Sequence, residues 1–253
     1  MPELGDDYSE LMSFRAEAFR KFGGDALSAF AGPPAKLLFP TITLSYEASA
    51  MKRVGPLRFI DRQPVVPFVD ATLSAATAPM TILEIGPGSG NLARDLLRRY
   101  GTVISRYVAV DRDASVSGPF ECYKSVEDVP YEIDLVIAAE VIEHMPVDAF
   151  YGSILLPLQA RLSKDARLVV TTPNPLAPGG IARDVTHVQR YPWYDLYAVL
   201  RLAFSDVEVT RTHYLFSYRR LLQFPLRVVL CTLLELEWCD GLTAVASGVR
   251  SIP

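Results

Sequence analysis

The sequence predicts an α/β protein: a doubly wound, seven-stranded and mostly parallel sheet whose last strand is antiparallel, with a helical N-terminal extension. Three observations predict it. First, the apolar run Thr81–Ile85 ends in glycines at 86, 88 and 90, and a helical pattern starts directly afterwards. Second, further apolar runs at Tyr107–Asp111, Ile133–Ala139 and Leu168–Thr172 alternate with helical patterns at Arg94–Tyr100 and Asp148–Leu162, the signature of parallel strands covered on both faces. Third, Leu242–Val249 reads as a strand with no crossover helix after it, so it is expected to lie antiparallel to its neighbour.

The remaining elements follow in order. Leu11, Phe14, Ala18, Phe19 and Phe22 stand at helical spacing within residues 8–31, which predicts one or two amphipathic helices. Prolines at 33, 34, 40, 56, 64 and 67 break any period up to residue 67, although 37–46 is compatible with extended chain. Since the glycine-ended strand opens the main sheet, residues 1–74 are expected to be an added segment and 75–253 the principal domain. The added segment is expected to be a lid or pocket cap, the alternatives being a helical brace or an oligomer surface. Residues 112–129 are too compact for a full crossover helix before a strand near 120–123. Beyond the sheet core come a long loop at 172–192 and a helix over 193–204. Strand-like alternation follows from Val207 to Leu215, then a helix over 219–236. There are no internal repeats.

Half of the residues are apolar, enough for a full core. With 25 basic and 29 acidic residues the net charge is −4, which offers nucleic acid no obvious grip. The three cysteines form no close metal-type pair, and a reducing, cytoplasmic setting is expected. The opening Met-Pro-Glu-Leu-Gly-Asp-Asp is not a secretory leader. The greasiest stretch, 221–236, is interrupted by Gln223, Pro225, Arg227 and Glu235, so no transmembrane segment is expected.

The glycine turn reads as a site where backbone N–H groups at a helix start face a nucleotide-like ligand. Asp111 falls 21 positions past Gly90 at the end of the next strand, where a ribose diol would be gripped. The third glycine of a dinucleotide fingerprint is replaced by Asn91, and no Gly-Lys-Ser/Thr phosphate loop exists. Glu84, just before the glycines, suits a cationic amino-acid moiety better than a diphosphate.

The order of motifs resembles that of class I S-adenosylmethionine-dependent methyltransferases over roughly residues 75–250. The residues carrying the resemblance are Leu83-Glu84-Ile85-Gly86-Pro87-Gly88-Ser89-Gly90, Val110-Asp111, Asp134 through His144, Val169 through Pro175, and His187 through Leu200. It implies a Rossmann-like fold with S-adenosyl-L-methionine as cofactor. Glu84, Gly86, Gly88 and Gly90 would hold the methionine moiety and Asp111 the ribose. Arg112 would lie beside the adenine, with residues 122–125 along its other edge. Ser125 or a backbone group would replace the acidic adenine contact the family usually carries there. Ala139 and Glu140 would line the methyl-donating side.

Glu140, Glu143 and His144 stand at i, i+3 and i+4, one face if this stretch is helical. His187, on the loop after the next strand, is expected across the same crevice. Two carboxylates and two imidazoles could hold a divalent ion, act as a base with its orienting partner, or serve as structural support. The string Ala139–His144 with Thr172-Pro173-Asn174 is also similar to metal-dependent small-RNA 2′-O-methyltransferases, whose second nearby histidine before Trp193 is missing here. It looks equally like metal-independent small-molecule methyltransferases. The third histidine, His213, is expected to be packing or surface.

The expected function is therefore methyl transfer to a small-molecule hydroxyl, with His144 or His187 as base and Glu140 or Glu143 holding its tautomer. The rival expectations are RNA 2′-O-methylation, a nicotinamide-dependent oxidation disfavoured by Glu84 and Asn91, and a non-catalytic interaction module. Neither the acceptor nor metal dependence follows from the sequence, and a homo-oligomer is open.

Overall fold

The computed structural model describes residues 7–22, 41–43, 65–112, 116–177, 186–214, 222–223, 225–226, 229–230 and 239–250. Strands β2 (Met80–Ile85), β3 (Ile104–Val110), β4 (Glu121–Tyr123), β5 (Ile133–Ala139), β6 (Leu162–Pro173), β7 (Phe204–Tyr214) and β8 (Gly241–Val249) are the seven expected from sequence. A three-residue strand from the prefix, β1 (Thr41–Thr43), is added at one edge, giving the order β1-β7-β8-β6-β5-β2-β3-β4. Only β8 is antiparallel, to both β6 and β7. All other neighbours pair parallel.

Alternate residues of each strand enter two separate cores. Leu83, Val108, Val136 and Val170 join one, with side chains of α1 (Asp7–Phe22), α4 (Val147–Phe150), α5 (Leu156–Gln159) and α6 (Trp193–Arg201). Ile82, Tyr107, Ile137 and Val169 join the other, with α2 (Val66–Ser74) and α3 (Asn91–Tyr100). Burial on both faces is why these strands read as continuous apolar runs rather than alternating ones.

Several boundaries differ from expectation. The helix expected over 148–162 is interrupted by a π-turn at Tyr151–Leu155 between α4 and α5. β6 starts at Leu162, six residues early, because exposed Lys164 and Asp165 hide its first half from a hydrophobic reading. α6 stops at Arg201, and Phe204 already opens β7. Helix α2 lies within residues 1–74, yet Val66, Val69 and Leu73 are part of the core over β2. The end of α3 is tied to it by Arg99–Asp70 at 2.6 Å.

In the prefix, Phe14 and Ala18 are buried and Leu11 packs beside them, as the helical spacing requires. Helix α1 lies along α6: Tyr197 donates to Glu17 at 2.8 Å, and Arg15 meets Asp195 at 3.0 Å. Most of the expected extended chain at 37–46, the second prefix helix and most of the helix at 219–236 fall outside the described residues. The described pieces of the last are helical. Among the described residues no helix is long and apolar enough to cross a membrane.

Candidate active site

The parallel strands end together, and a cleft of about 700 Å³ opens at their carboxyl edge. This is the usual place for a ligand in an open α/β sheet, and the volume suits an organic cofactor. Gly86, Asp111, Arg112, Ser125, Glu140 and His144 all line it. The rim also carries Lys124 and Glu127 after β4, and Ala149, Ser153 and Ile154 from α4 and the π-turn.

The turn after β2 is held by Gly90 N–H donating to the Pro87 carbonyl at 2.8 Å, and Gly86 N–H donates to Val110 O at 2.8 Å. Gly86 has φ +63°, and a Cβ there would lie 2.7 Å from the Val141 side chain. Gly88 has φ +51°, and a Cβ there would meet nothing within 4 Å. The first glycine is needed for close packing; the second leaves bare backbone facing open space. Asp111, half-buried at the end of β3, is fixed through its N–H to Tyr123 O at 3.0 Å. Ser125 lines the cleft with its hydroxyl donating to Asp128 at 2.9 Å.

Glu84 does not line the cleft. By alternation it points with Ile82 into the layer beneath α2 and α3, 2 % exposed, and accepts a 2.7 Å bond from the Tyr107 hydroxyl. Burial raises its carboxyl from 4.5 to about 7, against the opposing effect of that bond. Burial likewise raises Tyr107 well above the ordinary phenol value, with Glu84 adding to it. Ala139 packs against the α2–α3 core rather than on the rim.

The end of β5 carries the site's strained residue. Glu140 has φ +54°, and among the described residues it is the non-glycine with a positive φ. Such a conformation costs about 1–3 kcal/mol and persists only where its surroundings impose it. Here Glu140 N–H is held by the carbonyl of Thr171 at 3.0 Å and its hydroxyl at 3.2 Å.

Beyond it a short 3₁₀ helix, Ile142–His144, sets two neighbours in opposite environments. Glu143 is 3 % exposed and accepts from the Thr172 hydroxyl at 3.2 Å; His144 is exposed toward the cleft. The Glu143 carbonyl accepts from Val188 and Gln189 N–H at 2.9 and 3.0 Å, hanging the histidine loop on the 3₁₀ turn. His144 and His187 consequently meet edge to face, ring centroids 4.9 Å apart. Candidate ligand atoms of Glu143, His144 and His187 lie within 4.8 Å of one another. Glu140, expected on the same face, is outside this group and on the cleft wall instead. The reason is the tighter 3₁₀ turn together with the left-handed backbone at Glu140.

Sequence reasoning did not anticipate Tyr107 or Thr172 as partners of the two buried carboxylates. For Tyr107 the signal lay in strand alternation, since it shares a layer with Glu84 on the neighbouring strand. For Thr172 there was none, because its partner stands on a turn rather than a strand. The aromatics of 191–197 are mostly core, with Tyr191, Trp193 and Tyr197 at most 1 % exposed. Burial and the nearby Glu143, Asp148 and Asp195 charges raise the Tyr191 hydroxyl. His213 lies on β7, its side chain outside the described residues.

A doubly wound sheet with a bare-backbone turn after its first parallel strand and a carboxylate ending the next defines the Rossmann-like nucleotide-cofactor enzymes. Residues 58–233 match the family model Methyltransf_23, a methyltransferase domain, and the chain belongs to that family. It is an S-adenosylmethionine-dependent methyltransferase. Among solved structures it is similar in fold to an S-adenosylmethionine-dependent methyltransferase from Archaeoglobus fulgidus. The two share 16% identity over 72% of this chain and 91% of that one, with a TM-score of 0.53. It is also similar to a chain of the complex containing the Haloferax volcanii Trm112 methyltransferase activator. There the identity is 12% over 72% and 89%, with a TM-score of 0.50. No curated protein matches the sequence.

The residues present fit S-adenosylmethionine. Open backbone at Gly88 can approach a ligand closely, and the Asp111 carboxylate can accept from two hydroxyls.

Proposed function

We propose that this enzyme methylates a hydroxyl of a small organic acceptor in the cytoplasm, with His144 as general base. The observation that carries this reading is the shared cleft: Gly86, which opens the glycine turn, Asp111, Glu140 and His144 line one cavity. In it, Asp111 would hold the ribose and the backbone of Gly86–Gly90 the methionine moiety. Arg112 and Ser125 would flank the adenine. Glu84 would contribute negative charge from beneath the turn rather than by direct contact. When bound there, S-adenosylmethionine supplies a methyl group on a sulfonium, which departs as a neutral thioether as an acceptor oxygen attacks.

The protein's own contribution is to align the acceptor, exclude water and take one proton. His144 Nδ1 lies 3.2 Å from the Thr186 carbonyl oxygen. A carbonyl only accepts, so Nδ1 carries the hydrogen and Nε2 keeps its lone pair. That lone pair receives the acceptor's hydroxyl proton. Glu143 is the buried charge beside both imidazoles, and His187 bounds the acceptor side. Glu140, fixed in its strained conformation, shapes the wall between cofactor and acceptor.

A second reading is favoured by the Glu143–His144–His187 cluster: a divalent ion held by these three would lower the acceptor's pKa in place of a base. The two readings part on treatment with a chelator. Turnover of a phenol and alcohol panel with isotopically labelled cofactor, unchanged after chelation, supports the base. Loss that added divalent metal restores supports the ion. No transfer to any hydroxyl, with transfer to amines instead, overturns the proposed acceptor class.

A further inference from the structure

The Phe120 side chain, just ahead of β4, occupies space that two bare glycines leave open. A Cβ on Gly118 would lie 2.1, 2.4 and 2.8 Å from its Cε1, Cζ and Cδ1 atoms. The ring therefore fills the room that any other residue at 118 would need. Gly118 is exposed and has no positive φ, so it is the ring, not the backbone, that demands glycine there. The same ring edge faces the cofactor turn: a Cβ on Gly90 would stand 3.0 Å from Cε1 and 3.4 Å from Cζ. Carbon atoms pack best at about 3.5–4.0 Å, so the ring lies tight against the bare face of Gly90, which has φ +71° and precedes α3.

One ring thus reaches three segments of the cleft. It abuts the turn after β2 at Gly90. It tilts against Tyr107 of β3, ring centroids 6.3 Å apart, on the strand that leads to Asp111. It also heads the strand that runs into Lys124 and Ser125 on the rim. From below, Phe120 packs against the core over β2, and Tyr107 is anchored there by its 2.7 Å bond to Glu84. The turn has a second restraint in Arg94, which donates to Ser89 O at 2.5 Å and Asn91 Oδ1 at 2.9 Å. That guanidinium is exposed, whereas the ring is backed by the core.

We propose that Phe120 is a positioning residue for the cofactor: its ring, seated in the gap at Gly118, fixes Gly90 and with it the turn at 86–90. This rests on the assignment of that turn to S-adenosylmethionine and deepens it. Backbone donors held in place before the ligand arrives bind more tightly than donors that must be ordered by it.

The test is a double-mutant cycle on the full chain, with S-adenosylmethionine affinity read by calorimetry beside melting temperature. Phe120→Ala should weaken the cofactor by about tenfold, and Gly118→Ala by a similar factor because its methyl expels the ring. In the Phe120→Ala background, Gly118→Ala should change affinity by less than about twofold, there being no ring left to displace. Amide hydrogen exchange over residues 86–91 should rise in both single variants while β5 and β6 keep their protection. Should Phe120→Ala not fold, Phe120→Leu supplies the ring-free background for the same cycle.

Wild-type affinity in Phe120→Ala overturns the proposal, as do equal losses from Gly118→Ala in both backgrounds. Exchange raised throughout the sheet with affinity unchanged would make the ring ordinary packing and overturn it too. Gly88→Ala separates this inference from the reading beneath it. Lost affinity in Gly88→Ala with wild-type affinity in Phe120→Ala removes only the role of the ring. Wild-type affinity in both removes the turn itself from the cofactor site.

Discussion

The two flanks of the sheet are built on different principles. On the β2-β3-β4 flank the connections are short, and the site is made of backbone: a glycine turn, a strand end, a half-buried aspartate. After β5 and β6 the site is made of side chains brought together by long connections, with Glu143, His144 and His187 assembled by a 3₁₀ turn and a loop hung from its carbonyl. On the proposed function, cofactor and acceptor would thus be handled by separable parts. Backbone geometry can serve one invariant ligand, while loops carry whatever distinguishes one acceptor from another.

If the parts are separable, His144→Ala should lower kcat by about 1,000-fold, the range of a lost general base. It should leave S-adenosylmethionine affinity nearly in place; single-turnover kinetics beside calorimetry reads both. Equal losses in both quantities would erase the division.

The buried carboxylate under the turn gives the next effect. Glu84 titrates at about 7 in the folded protein against 4.5 ordinarily. Its contribution is therefore fully favourable below pH 4.5 and is lost as pH rises through 7, because the folded protein must then bury the charge. Each pH unit between the two values corresponds to about 1.4 kcal/mol, so up to roughly 3 kcal/mol is lost across that window. Glu84→Gln, which keeps an acceptor for Tyr107, should flatten that part of the pH–stability curve and gain stability at pH 8. Chemical denaturation of both proteins at several pH values measures it. A drop in cofactor affinity in the same variant would assign the charge to the cofactor half.

A smaller effect belongs to Gly86→Ala, which forces a side chain into φ +63° and against Val141. It should cost about 1–3 kcal/mol of stability and weaken cofactor binding, while Gly88→Ala, with open space above it, should act mainly on binding. Thermal melts with and without cofactor separate the two effects. Smallest of all, Glu17→Ala removes the Tyr197 and Arg201 contacts of α1. It should shift stability by about 1 kcal/mol or less and leave both halves of the site working.

Legibility followed the same divide. The turn at 86–90 and the carboxylate at 111 could be read because glycine spacing and a strand-end acid are local signals. So could the antiparallel β8, since no crossover helix follows it. Glu140 in the left-handed region could not, because nothing about a glutamate suggests that conformation; Thr171 on the next strand imposes it. Nor could the separation of Glu140 from Glu143 and His144, since a 3₁₀ turn and an α-helix look alike over three residues. The burial of Glu84 away from the cleft was hidden for a related reason. Position in the strand was clear, but the face it occupies depends on the pairing of β2 with β3. β1 was obscured by prolines and by its length of three residues.

Isothermal titration of S-adenosylmethionine into the wild type and Asp111→Ala decides whether the turn at 86–90 and Asp111 form one cofactor site. The expected result is one site of roughly micromolar affinity in the wild type and a loss of about 100-fold in the variant. Equal binding by the two proteins, or no heat from either while both remain folded, would contradict it.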